Sequence, residues 1–270
     1  MTAVADAAVV KACCALLYEH ELTGWLLGES FHPGGAALTD RLAELLGVSA
    51  GKRVLDVAAG LGTSALRIAT VTEASVHGVD LSVALVAAAT ERARSSGLAD
   101  RVTFGVGDAE HLPIDDHSVD AVICECALCT FPAKVDAVRE MARVVRPGGR
   151  VGIADVLMDR SRLPAELDTL AARVACLADA RTLEENLRLL EDAGLGIEAM
   201  ERHDEALCAM LDRIDARLAA VRMAFPAAAA PLDPIRARRL LSLARQGVDD
   251  GAAGYVLIVA VAPETEHADG

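Results

Sequence analysis

Short apolar runs recur along the chain, separated by stretches with helical spacing. Arg53–Val57, Ser75–Val79, Val102–Val106, Val119–Cys124 and Arg150–Val156 read as strands. A helix follows the first of them over Ser64–Thr70, and another, Lys134–Val145, stops at Pro147-Gly148-Gly149. Strands alternating with helices of this length imply βαβ crossovers and a parallel sheet. Before this region, Ala3–Leu46 reads as helical, broken near Gly24, Gly28 and Pro33-Gly34-Gly35. After it come helices at Pro164–Ala178 and Thr182–Ala193, and a strand, Gly196–Arg202. Two helical segments, Asp204–Met223 and Ile235–Arg245, flank a loop at Pro226–Pro234, and Gly254–Val261 is a last apolar strand.

The chain has 270 residues, 53% of them hydrophobic, which suits one α/β domain with decorations. Forty acids against 26 bases leave a net charge of −14. Such a surface repels phosphate backbones, so nucleic acid and anionic membranes are excluded as expected partners. The cluster Arg236, Arg238, Arg239 reads as a solvated helix face. No apolar run reaches the roughly 18 residues that span a bilayer, and the first residues carry no basic stretch of a secretory signal. The expected location is cytoplasmic, with the seven cysteines reduced. Reduced cysteines are then core residues, metal or metalloid ligands, or nucleophiles.

The chemistry centres on Val54-Leu55-Asp56-Val57-Ala58-Ala59-Gly60-Leu61-Gly62-Thr63, a strand that runs into a glycine-broken turn and then a helix. Such a turn cradles a nucleotide, because Gly60 and Gly62 let the backbone approach a ligand where a Cβ would clash. The second strand ends in Asp80, where an acid grips a ribose diol. A dinucleotide dehydrogenase would use the same turn, with Ala65 in place of a third glycine. It assigns no role, however, to Gly107-Asp108-Ala109 or to Pro147-Gly148-Gly149. Together with Asp56–Gly62, Asp80 and the turn Gly107–Pro113, the bend Arg146–Arg150 resembles the motif order of the class I S-adenosylmethionine-dependent methyltransferases. The resemblance implies a Rossmann-like, seven-stranded, mostly parallel sheet whose last strand is antiparallel. It also implies an N-terminal helical cap at 1–50, a cofactor-binding core at 51–203 and a helical insertion plus last strand at 204–270, with both sets of helices capping the site. S-adenosylmethionine is the implied cofactor, contacted by Asp56, Ala58, Gly60, Gly62, Asp80, Leu81, Asp108, Ala109 and Glu125. In this reading Asp80 accepts the ribose hydroxyls, Asp108 the adenine amine, the Ala109 amide donates to a ring nitrogen, and Asp56 braces the loop.

Strand four ends in Cys124-Glu125-Cys126-Ala127-Leu128-Cys129, and ligands bind beyond the carboxyl ends of such strands. Cys124 and Cys208 read as core residues; Glu125, Cys126 and Cys129 are expected at the site's mouth. The segment Glu125–Lys134, with Leu163–Leu167 and Val174–Leu177, resembles the arsenite methyltransferases. That resemblance implies arsenic ligation by Cys126 and Cys176, with Cys129 or Cys14 as further thiol donors, and glutathione as a thiol partner. Thiolates suit a soft, thiophilic ion, and its lone pair needs no general base. Two other functions are compatible with the sequence. One is methylation of a carbon, oxygen or nitrogen of a small metabolite such as a quinone or secondary metabolite, with His32 as a candidate base. The other is thiol-rich metalloid binding without turnover.

Overall fold

The computed structural model describes residues 7–19, 28, 31–162, 179–224 and 234–264. Helix α1 (Ala7–Glu19) and helix α2 (Ala36–Leu45) precede the sheet. Strand β1 (Arg53–Val57) leads through the glycine turn into α3 (Thr63–Thr72); β2 (Ser75–Asp80) follows, then α4 (Val83–Ser95), β3 (Val102–Val106) and β4 (Val119–Glu125). A short 3₁₀ turn (Leu128–Thr130) joins β4 to α5 (Lys134–Val144) and β5 (Val145–Met158). The chain closes with α6 (Leu183–Asp192), β6 (Gly196–Arg202), α7 (Asp204–Ala224), α8 (Pro234–Asp249) and β7 (Ala253–Val261). The expected helix at Pro164–Ala178 lies outside the described residues.

The seven strands form one sheet in the order β3-β2-β1-β4-β5-β7-β6. All neighbours pair in parallel except β7, which is antiparallel to both β5 and β6. The last strand is therefore the reversed one, as expected. Its nine residues are apolar in near-continuous succession because helices cover both faces of the sheet. On one face Val54, Ile123, Ala154 and Leu257 pack with Leu42, Ile68, Leu211 and Ala244, from α2, α3, α7 and α8. On the other, Leu55, Val122, Ile153 and Ile258 pack with Val138, Met141 and Leu190, from α5 and α6. Residues adjacent along one strand thus serve opposite cores, the period-2 geometry of a covered sheet.

Two expectations change. Pro147-Gly148-Gly149 does not precede the fifth strand but lies inside it, since β5 starts at Val145, directly after α5. The strand absorbs these residues at a register shift between Val119 and Ala121, where a Cβ on Gly149 would lie 2.7 Å from the Asp120 carbonyl oxygen. Among the described residues, none from the insertion helices α7 and α8 lines the site. They clasp each other through Arg238–Asp215 and Arg245–Asp212 and pack on β7. Among the described residues, α1 and the Phe31–His32 stretch are what cover the site. No helix among them is long and apolar enough to cross a membrane.

Candidate active site

The carboxyl ends of β1, β2 and β4, the turn after β3 and helix α1 enclose a cavity with ≈ 850 Å³ of empty space, counting its open mouth. That is the scale of small-molecule sites, roughly 300–1,000 Å³. The glycine turn forms its floor. Ala59 donates its N–H to the Val79 carbonyl (3.1 Å), Gly62 to the Ala59 carbonyl (2.8 Å), and the Arg92 guanidinium holds the Leu61 carbonyl (2.8 Å). Ala58 and Gly62 both have positive φ, 60° and 71°. At Gly62, which caps α3, a Cβ would sit 2.4 Å from the Phe104 ring, so glycine is required for space as well as for conformation.

Asp80 stands at the end of β2. One carboxylate oxygen accepts the Gly60 N–H at 2.8 Å and the other accepts the Ser82 N–H at 2.9 Å. A carboxylate has about four acceptor positions, so two remain for a ligand's diol. Burial pushes the Asp80 carboxyl above its ordinary value, opposed by these two amides. Asp108 forms an Asx turn, accepting the Glu110 N–H at 3.0 Å, and its other oxygen accepts from Lys11 of α1 at 2.6 Å. Burial favours the neutral Asp108, but Lys11 and the Glu110 amide outweigh it, and the carboxyl titrates below its usual range. Lys11 also pairs with Glu110. With Lys11, Ala15 and Tyr18 line the cavity from one face of α1. The Glu19 carboxylate fixes that helix's far end, accepting the Ser82 hydroxyl at 2.6 Å.

A smaller cavity of ≈ 390 Å³ lies against the glycine turn, lined by Asp56, His32, Thr63, Ser64 and Glu125 among others. Asp56 is fully buried, and its Oδ2 has no hydrogen-bond partner among the described residues. Burial drives its carboxyl far above the ordinary range, with Glu125 and Asp80 adding to the effect and the Ala65 amide opposing it. An orphaned acceptor facing a cavity is fitted to receive a ligand's donor. Glu125, at the end of β4, accepts the Thr39 hydroxyl at 3.2 Å and lies 3.7 Å from His32 Nε2. His32 in turn donates from Nδ1 to the Pro33 carbonyl at 3.0 Å.

The expected thiols separate. Cys126 lines the main cavity in a left-handed conformation (φ 53°), its N–H donating to the Ala154 carbonyl at 2.6 Å. Cys129 does not reach the mouth. The 3₁₀ turn carries it into the apolar core, 2% exposed, where its N–H donates to Asp155. Cys124 is buried as expected, its thiol pushed far up by burial. Cys14 lies on α1, but its side chain is outside the described residues, and so is the whole of Cys176. Among the described residues no three His, Cys, Asp or Glu are grouped to hold a metal ion. Of the expected cofactor contacts, Ala58, Gly60, Asp80, Leu81, Asp108, Ala109 and Glu125 line the main cavity, Asp56 lines the smaller one, and Gly62 shapes the turn beneath them. Lys11, Phe31 and Thr39 were not foreseen. Lys11 had a signal, as the one charged residue between Ala7 and Tyr18.

Residues 48–194 match the family model described as a methyltransferase domain. The chain belongs to that family. Its cofactor is S-adenosylmethionine, and the acceptors present fit it: Asp80 would hold a diol, Asp108 an amine, and Asp56 carries an unmet acceptor. This methyltransferase is 41% identical over 166 residues to Methyltransferase GfsG of Streptomyces halstedii, covering 60% of this chain and 59% of the relative. It is 36% identical over 197 residues to 27-O-demethylrifamycin SV methyltransferase of Amycolatopsis mediterranei, covering 67% and 72%. An arsenite methyltransferase of Halobacterium salinarum is more distant, 31% identical over 161 residues, with 58% of this chain and 40% of the relative covered. The fold is shared with the [4+2]-cyclase SpnF (TM-score 0.79, 25% identity, 96% of this chain and 97% of that one). It is shared as well with a Haemonchus contortus phosphoethanolamine N-methyltransferase in complex with S-adenosyl-L-methionine (TM-score 0.75, 22% identity, 93% and 57% covered).

Proposed function

We propose that this methyltransferase transfers a methyl group from S-adenosylmethionine to an oxygen of a small, uncharged, largely apolar metabolite. The observation that carries this reading is the lining of the main cavity. Tyr18, Phe31, Leu81, Leu85, Phe131 and Pro132 supply apolar walls. The carboxylates Asp80, Asp108 and Glu125 supply its polar groups, and its single lysine, Lys11, is already paired with Asp108 and Glu110. With Asp80 and Asp108 turned to the donor, the lining left for the acceptor is Glu125 and apolar walls with no unpaired lysine or arginine among the described residues, which disfavours a phosphorylated or carboxylated acceptor and suits a neutral one. The likeness to a rifamycin O-methyltransferase points the same way.

When bound, the donor would supply a methyl on a cationic sulfur; the acceptor's hydroxyl oxygen would take it in line, its proton passing to solvent, with the electron pair of the broken C–S bond left on sulfur. The protein's part is positioning and water exclusion, an effect worth up to roughly 7–11 kcal/mol when two reactants are well oriented. Asp80 and Asp108 fix the nucleoside, the glycine turn its tail, and α1 closes over it. The arsenite reading rests, among the described residues, on Cys126 alone, whereas a trivalent metalloid needs further thiolates.

The test supplies methyl-labelled S-adenosylmethionine with 27-O-demethylrifamycin SV as a probe acceptor and, in parallel, with arsenite and glutathione. The expected result is label on the organic probe, retained in Cys126→Ser. Label on arsenic alone, lost in Cys126→Ser, overturns the proposal in favour of the metalloid.

A further inference from the structure

The two cavities share four lining residues, Phe31, Ala58, Gly60 and Glu125. Asp80 and Asp108 line only the larger cavity, and Asp56 only the smaller. S-adenosylmethionine has the same division, a nucleoside and an amino-acid tail joined through one positively charged sulfur. Were the nucleoside held by Asp80 and Asp108 and the tail ammonium by Asp56, that sulfur would fall at the junction. The junction holds one ionisable side chain, Glu125, and one aromatic ring, Phe31, both suited to a cation.

We propose that Glu125, facing the cofactor sulfur across the junction, makes the site select the charged donor over its demethylated product. Several features place the carboxylate for this. Its side chain is 3% exposed, and among the described residues no Lys or Arg pairs with it. The Thr39 hydroxyl, 86 positions away in sequence, donates to it at 3.2 Å and fixes its orientation, with His32 Nε2 3.7 Å away. Phe31 packs against Tyr18 of α1, the rings tilted by 40° with centroids 5.7 Å apart, so the aromatic wall is held too. When the methyl leaves, the sulfur loses its charge, and Glu125 is left facing a neutral thioether. The product is thereby held less tightly than the donor, and turnover is spared product inhibition.

Calorimetric binding of S-adenosylmethionine and S-adenosylhomocysteine tests this without any acceptor. The wild-type protein binds the methylated form about tenfold more tightly or better, the scale of one charge-assisted contact. Sinefungin, which carries an ammonium in place of the methylated sulfur, shows the same preference over S-adenosylhomocysteine in wild-type protein. Glu125→Gln weakens binding of S-adenosylmethionine and sinefungin and leaves S-adenosylhomocysteine unchanged, bringing the ratio near one. Asp56→Asn weakens all three alike, because each keeps the tail ammonium. A wild-type ratio at or below one, or an Asp56→Asn effect on the ratio as large as that of Glu125→Gln, overturns the proposal. A wild-type protein that binds none of the three overturns the cofactor site itself, and this reading with it.

Discussion

Replacing Asp80 by Asn tests the cofactor site most directly, because one carboxylate serves two tasks there. Its oxygens accept the Gly60 and Ser82 amides at 2.8 and 2.9 Å, and their remaining lone pairs face the cavity. Asn keeps the shape but removes the charge and turns one acceptor into a donor. A hydrogen bond to a charged group contributes about 1.5–3 kcal/mol, against roughly 0.5–1.5 for a neutral one. Two ribose hydroxyls therefore lose about 2 kcal/mol between them, a ~30-fold rise in Kd. S-adenosylmethionine and S-adenosylhomocysteine lose equally, since both carry the ribose. Stability responds differently. The new amide group opposes one backbone N–H, which costs about 1–3 kcal/mol. Burial raises the Asp80 pKa, so removing the charge returns part of that loss. Calorimetry reads the affinities and a melting curve the fold. If Asp80→Asn leaves both affinities within about threefold of wild type in a protein that melts normally, Asp80 does not hold the diol and the site has been misread.

Gly62→Ala should destabilise the protein by about 2–4 kcal/mol, combining left-handed strain with a Cβ driven to 2.4 Å from the Phe104 ring; an unshifted urea midpoint contradicts this. Tyr255→Phe should stabilise by about 1 kcal/mol, because the fully buried Tyr255 hydroxyl has no hydrogen-bond partner among the described residues. That gain appears as a Tm rise of about 2–4 °C, and a fall instead means the hydroxyl has a partner. Burial raises the carboxyls of Asp56 and Asp80 in the folded chain, so each takes up a proton at higher pH than when unfolded. Their contribution to stability is accordingly fullest below the ordinary carboxylate pKa and is lost as pH rises through the raised values. Cofactor binding needs them ionised, so acidification from neutral pH weakens affinity for S-adenosylmethionine while these two groups favour the fold. Kd measured across that range checks it, and an affinity that strengthens on acidification refutes it.

The residues whose place at the cavities was legible in the sequence are those positioned by their immediate neighbours along the chain. Asp56, Gly60 and Gly62 belong to one strand–turn–helix unit, and Asp80 and Asp108 each stand at the end of a strand whose apolar run is visible by itself. Local periodicity and turn chemistry decide such positions. Pro147-Gly148-Gly149 misled for the same reason, since it terminates structure locally, and only the pairing of Val145 and Arg150 with β4 on either side of it places it inside β5. What the fold alone decided are the long-range meetings. Lys11 reaches Asp108 from 97 positions away, and Thr39 reaches Glu125 from 86. Nothing in a single sequence records which face of α1 or α2 turns toward the sheet. The cysteines divide likewise: Cys126 and Cys129 are three positions apart, and the 3₁₀ turn between β4 and α5 places one at the cavity and the other in the core. Residue types declare which chemistry is available, but burial and distance are properties of the packed chain, and they determine which of those groups meets a ligand.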